Sequence, residues 1–421
     1  MLILTYGRLW KFIFFSLFLG LCSLAELRAQ ERTLDFFLNQ ATKNSPLLRD
    51  LSGQQSALAL DSILLRAQQR PQVKATSSGL YAPVIKGWGY DEALSNGQSL
   101  DALLGIDYVV MGKQRKNALF EALKIRGDSA RYAVRITELD IRRSIAEQYI
   151  AAYASQQQAL FSREVSALLG REDTILRTLT RANTYKQTDY LAFLVTFQQQ
   201  KLAGRQAEIS YKTDLATLYY LAGIADTITV PLSPPAFAET RPVSLPNSIF
   251  LQKFRLDSVR IEGERAAVDL AYKPQIGIFA NAGYNSSFIL QPYKNFGTSV
   301  GFSVSVPIYD GHQKRLQYSK LEIEDRTRAF YRDFFTVQQK QQIDLLNRQI
   351  AQTDQLFDEI GSQVRFAKGL VEADTRLLQT GDVTVADFII AINGYMDAQN
   401  LYRQTVIDRL KLLNQLTYWN R

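Results

Sequence analysis

Late in the chain, two stretches alternate apolar and polar side chains at every second position. Ile276, Ile278, Ala280, Ala282 and Tyr284 alternate with Gly277, Phe279, Asn281, Gly283 and Asn285. Val300, Phe302, Val304, Val306 and Ile308 alternate with Gly301, Ser303, Ser305 and Pro307. Period two over about ten residues predicts strands with one apolar face, here over 274–285 and 298–308. The first half repeats the pattern more weakly. Leu104, Ile106, Tyr108 and Val110 alternate well, predicting a strand over 101–111, whereas the stretch 71–81 carries Lys74, Thr76, Ser77 and Ser78.

A different period follows each strand pair. From Leu346 the positions Ile350, Thr353, Phe357, Ile360, Val364, Ala367, Val371, Asp374 and Leu378 recur in steps of four and three, all apolar but Thr353 and Asp374. After a turn at Gly381, Phe388, Ile392, Tyr395, Gln399, Tyr402, Val406, Arg409, Leu413 and Leu416 continue them, all apolar but Gln399 and Arg409. This is the seam of an antiparallel coiled-coil hairpin. The first half turns at Asn183, and Met111 stands as far before it as Tyr309 stands before Gly381. A helix of that length would reach roughly 108 Å, against a membrane core of about 30 Å. Before each strand pair lies a shorter helix. One is capped by Thr33 and reopened by Pro46; the other begins near Ser248. Arg70-Pro71-Gln72-Val73 and Lys273-Pro274-Gln275-Ile276 end them alike.

The chain thus reads as two repeats, about 33–223 and 245–421, joined by a Pro-rich irregular strap over 224–244 and forming one domain, 30–421. Two hairpins supply four strands, too few to close a barrel, so the repeat calls for several copies.

Arg8 and Lys11 precede the apolar run 12–24, and a small residue, Ala29, follows Leu27 and Arg28. That is a secretory signal peptide over 1–29, shorter than a comfortable membrane-spanning helix. Cys22, the only cysteine, leaves with it, so disulfide and thiol chemistry are not expected. Of the net charge of +8, about +6 lies beyond the signal segment and is spread along the helices, which speaks against nucleic acid as a partner. His312 is the only histidine, and it sits in a turn. No nucleophile–base set, phosphate loop or metal cluster stands out, so neither an enzyme nor a cofactor or metal is expected.

With these elements in place, the chain resembles the TolC-like outer-membrane efflux family. Pro307-Ile308-Tyr309-Asp310-Gly311, followed by Gln313, Lys314 and Arg315, looks like that family's strand-to-helix exit. Gly112-Lys113-Gln114-Arg115-Lys116 is its first-half counterpart. Gly381, Asp387 and Ala391 fit the family's hairpin tip, with Thr188 and Asp189 at the corresponding tip of the first half. The resemblance covers 33–421. It implies a mainly α fold with a small membrane β-barrel: a homotrimer with a twelve-stranded barrel and a periplasmic α-helical tunnel. The place is the Gram-negative outer membrane, and the partners are a periplasmic adaptor, an inner-membrane pump and outer-membrane lipid. The implied work is passive conduction in a tripartite efflux or type I secretion system.

Asp387, Asp189, Thr188 and Asp382 are then candidates for lining the tip, where three carboxylates would favour cations. A helix-start carboxylate near a positive dipole end explains Asp387 and Asp189 equally well. Gly381 and Asn183 are candidate tip turns and adaptor contacts. Val300, Phe302, Val304 and Val306 are candidate lipid-facing residues. Lys113, Arg115, Lys116, Lys314 and Arg315 suit a headgroup boundary, or simply a solvated first helical turn. Tyr81, Trp88, Tyr90 and Tyr293 suit an outer aromatic belt. The family's latch tyrosine and arginine would fall at Leu378 and Val383, and a second tip aspartate at Ile390, so any gate is held differently. A reading from another class is a periplasmic coiled-coil scaffold or adhesin, which would have no need of a lipid-facing strand.

Overall fold

Thr33 stands in an extended conformation and its hydroxyl accepts the Phe36 N–H, so the first helix, α1 (Leu34–Asn44), starts where a cap allows. Pro46 opens α2 (Pro46–Gln68), since a missing N–H costs nothing in a first helical turn. Then come β1 (Gln72–Tyr81), β2 (Gln98–Val110), α3 (Lys113–Arg181) and α4 (Gln187–Leu221). The second half repeats the series as α5 (Ile249–Ala271), β3 (Gln275–Ser286), β4 (Phe296–Ser305), α6 (Gln313–Thr380) and α7 (Val385–Trp419). Ser248 caps α5 as Thr33 caps α1. This computed structural model describes residues 32–91, 97–226, 228–237, 247–287 and 294–421. The expected signal peptide, Cys22 and Tyr293 lie outside them, as does part of the strap.

The chain divides into two compact units, and the long helices α3 and α6 contribute a segment to each. In one unit, α3, α4, α6 and α7 pack through their seams. The predicted seam holds: Leu346, Ile360, Val371, Leu378, Phe388 and Ile392 are buried. Near the helix turns a cluster gathers Phe161, Leu176, Phe193, Leu378, Val385 and Phe388. Phe193 and Phe388 stack at 6.4 Å between ring centroids. Full burial of each such ring contributes roughly 1.5–3 kcal/mol. A second cluster of this unit joins α1 to α3 and α4 through Phe37, Tyr149 and Tyr219.

The described part of the strap has no regular structure but is fastened residue by residue. The Tyr149 hydroxyl lies 2.7 Å from the Ser233 carbonyl, and Gln156 exchanges two hydrogen bonds with the Leu232 backbone. Tyr211 and Tyr219 donate to the carbonyls of Val230 and Ile228. These bonds replace the main-chain partners that irregular backbone lacks.

The other unit carries one sheet in the order β1-β2-β3-β4, antiparallel throughout. Its helical segments follow the same order. Arg66 of α2 covers the Phe120 ring of α3, Ile125 of α3 touches α5 at Gly263, and Phe254 of α5 meets Phe335 of α6. At the exit into α6, Asp310 accepts the N–H groups of His312 and Lys314 while Gly311 and His312 take positive φ. Among the described residues, no helix is long and apolar enough to cross a membrane.

Candidate functional site

Two places draw together the residues that sequence patterns single out: the helix turns in one unit and the sheet in the other.

Both helix turns use the same backbone device. Asn183 has φ 61° and Gly381 has φ 82°. The Thr184 N–H reaches back to the Leu179 carbonyl at 2.9 Å, and the Asp382 N–H to the Leu377 carbonyl at 3.0 Å. This closure satisfies carbonyls that a helix end would otherwise leave bare, and it needs a left-handed residue just past the end. A glycine takes that conformation freely, and an asparagine more readily than most residues.

The next helices start differently. Thr384 accepts the Asp387 N–H at 3.2 Å, and its hydroxyl donates to the Asp387 carboxylate at 2.6 Å. Asp387 is exposed and sits in the first turn of α7. Its contacts are those of a capping residue. Lys186 precedes α4 and makes no side-chain cap, while Asp189 lies in the first turn beside Thr188, whose hydroxyl is 3.3 Å from its carboxylate. Asp382 accepts from Thr380 at 2.6 Å, and Ile390 is exposed.

Leu378 and Val383 stand where the resemblance implies a polar latch. Leu378 is fully buried in the tip cluster and Val383 packs against it, so neither side chain offers a polar group. Their main chain does. The Tyr185 hydroxyl, from the first repeat, lies 2.9 Å from the carbonyl oxygens of both Leu378 and Val383. It bridges the two sides of the Gly381 turn. Burial, with Asp382 nearby, raises the Tyr185 phenol above its ordinary range, so it stays a donor. No sequence pattern marks Tyr185, because its partners are backbone atoms 193 and 198 positions away. Asp374, a polar residue on the mostly apolar seam, is buried; burial and then Asp387 hold its carboxyl above the usual range. In the first repeat, Asp173 accepts from Tyr190 and Arg177 at 2.9 and 3.0 Å.

The sheet sorts its side chains by face. Direct partners across the ladder point the same way. Val73 pairs with Ile106, Tyr108 with Ile278, Ala280 with Val300, and Ile278 with Phe302. Every charged residue of the four strands falls on the opposite face. There Lys74 meets Asp107 at 2.6 Å, and Asp101 accepts the Ser78 N–H. That assignment explains the weak alternation of β1: Lys74, Thr76 and Ser78 share the charged face, with only Ser77 on the other. On the polar face the Phe279 ring lies over Gly301, so closely that a Cβ there would overlap it.

Val300, Phe302 and Val304 stand 79%, 75% and 56% exposed on the apolar face. Val306 is expected in the same strand but lies just past it, since the ladder ends at Gln275↔Ser305. The next residue opposite is Pro274, which has no N–H to offer. Beyond β1, Lys86 and Gly87 take positive φ in a tight turn that presents Trp88, 85% exposed. Tyr81 and Tyr90 are exposed beside it. Among the described residues, no group of three or more His, Cys, Asp or Glu is placed to hold a metal ion.

No family model matches the chain, and no curated protein matches it. Solved structures do. The channel protein CusC is 11% identical, with a TM-score of 0.76 over 93% of this chain and 92% of that one. The outer membrane protein VceC from Vibrio cholerae is 14% identical, with a TM-score of 0.74 over 92% and 96%. The MtrE outer membrane channel of Neisseria gonorrhoeae is 14% identical, with a TM-score of 0.73 over 92% and 88%. At such identities the shared property is the architecture, followed almost from end to end: the chain has the TolC-like fold of outer-membrane channels.

Proposed function

We propose that the chain is the outer-membrane exit duct of a tripartite efflux or type I secretion system. Three copies close a twelve-stranded barrel, and their helices form a periplasmic tunnel that meets an adaptor and an inner-membrane pump. The duct conducts passively and catalyses nothing. Asp387, with Asp189, Thr188 and Asp382, lines the periplasmic tip and favours cations there. The Asn183 and Gly381 turns present the surface an adaptor grips.

The observation that carries this reading is the sheet. All four strands place apolar residues on one open face and all their charges on the other, as a wall between lipid and water requires. A helical scaffold has no use for such a face. The test is Phe302→Asp. A charge on a lipid face costs up to about 2–4 kcal/mol at mid-depth, somewhat less for an acid, and should strip the protein from outer-membrane fractions. A variant that fractionates and assembles like the parent would sink the channel reading and favour the scaffold.

A further inference from the structure

Over the first part of α3 runs a groove that neither the helix turns nor the sheet accounts for. Residues of α2 and α5 stand along α3 and wall it. The wall on the α5 side is firm: Ile125 of α3 is only 8% exposed and touches α5 at Gly263. With Asn183 set on Gly381, the counterpart of Ile125 is Ile323 of α6, the last helix of the row, and it is 64% exposed.

At the end farther from the sheet the groove encloses about 610 Å³ and is positively charged. Arg131 and Arg135 enter it from α3, and Arg255 enters it from α5. Asp128, the one carboxylate among the lining residues, is taken by Arg131. Arg135 and Arg255 are exposed and have no ion-pair partner among the described residues. Two unmatched guanidinium groups from different helices thus face one cleft, and a cleft lined by one sign of charge draws the opposite sign into it. The amides of Gln55 and Gln252 add donors beside them. Toward the sheet the groove continues, since Gln55 and Arg131 line both parts, into a trough of about 350 Å³. Here the walls turn apolar: Leu58 and Ala59 of α2 stand opposite Phe120 and Leu123 of α3. Gly127 lines the trough, and a Cβ on it would meet nothing within 4 Å. Glycine weakens a helix interior, and at this place its missing side chain leaves the trough open.

We infer that this groove binds a water-soluble, single-chain anionic amphiphile. Its phosphate, sulfate or carboxylate head sits on Arg135 and Arg255, and its apolar tail lies along Leu58, Phe120 and Leu123. Guanidinium groups present paired N–H donors that match such oxyanions. Each part of the groove falls in the volume range of small-molecule sites. From Phe120 to Arg135 it runs roughly 22 Å along α3, enough for a head and an extended chain end to end. A lipid held in a bilayer does not fit. The two ends lie about 10 Å and about 33 Å along α3 from Lys113, where the helix leaves the sheet, so both stand clear of a membrane around the strands. The site goes beyond the proposed duct and does not rest on it.

The test is calorimetric titration of alkyl phosphates into the purified full chain in a neutral detergent, with protein-free micelles as the blank. Octyl phosphate should bind about fifteenfold tighter than hexyl phosphate, because each buried methylene is worth about fourfold. Inorganic phosphate should bind weakest. Arg135→Gln combined with Arg255→Gln should weaken octyl phosphate at least about tenfold. Arg126→Gln, on the same helix but outside the groove, should leave it unchanged. Gly127→Leu puts a side chain into the trough, and leucine is the better helix former. Its melting temperature should therefore hold or rise while octyl phosphate loses its advantage over hexyl phosphate. Melting temperature and particle mass are measured for every variant. No saturable binding by the parent, or parental binding by a folded arginine pair variant or by Gly127→Leu, would overturn the site. Affinity independent of chain length in the parent would overturn the amphiphile as its ligand. A parent that is monomeric and outside the membrane would sink the duct and leave this site to the titration.

Discussion

The first helix turn is built around Asn183 and an uncapped start at Lys186; the second is built around Gly381 and a reciprocal Thr384–Asp387 cap. The backbone path is the same and the supports differ. The second turn caps its own outgoing helix and also receives the Tyr185 hydroxyl from the first. The first packs Tyr185 and Tyr190 against the shared cluster, and Tyr190 also bonds to Asp173 and Arg177. A duplicated fold preserves backbone geometry and redistributes the side chains that hold it.

Six substitutions test that contrast, set out broadly from the largest expected effect to the smallest. Tyr185→Phe removes the hydroxyl from two carbonyls flanking Gly381 and should cost about 1–3 kcal/mol. Hydrogen exchange at 377–383 should speed up while the first turn is little changed; equal loosening of both would remove the asymmetry. Gly381→Ala should cost about 1–2 kcal/mol in thermal stability, because a Cβ at φ 82° is strained and would lie 3.2 Å from the Thr184 methyl. Asn183→Gly should lose nothing by the same measure.

Thr384→Ala should cost about 1 kcal/mol by loss of the cap. The converse, Lys186→Thr, should stabilise the start of α4 by a fraction of that, since φ −74° and ψ 148° already suit a cap residue. Helix-start protection in hydrogen exchange reads both. The smallest effect is a slope with pH. Asp374 has its folded pKa raised, so the stability it contributes is complete below the unfolded carboxylate range and is lost as pH rises through the folded value. Asp374→Asn should match the parent at low pH and melt later near neutrality; parallel melting curves across pH would show that its burial has no such consequence.

Much of the sheet and of the helix seams was legible in the sequence because each follows a short period. Strand alternation located Val300, Phe302 and Val304 on one face, and the seam located Leu378, Phe388 and Ile392 inside. The strand end was misjudged by alternation alone: Val306 fits the pattern but stands opposite Pro274, and pairing is a property of two strands. At the turns, Asn183 and Gly381 were legible because few residues tolerate positive φ. Tyr185 was not, since a hydroxyl reaching distant backbone leaves no trace in spacing.

The sequence by itself determined the periods, the two repeats, the turn residues, the cap at Thr33 and the helix start near Ser248, all local matters of backbone preference and side-chain spacing. Tertiary structure alone decided the order β1-β2-β3-β4, the gathering of the strand charges on one face, the Tyr185 bond across the Gly381 turn, and the contrast between a covered Ile125 and an open Ile323. Each of these depends on which distant segments meet, and a residue's local neighbours do not encode that.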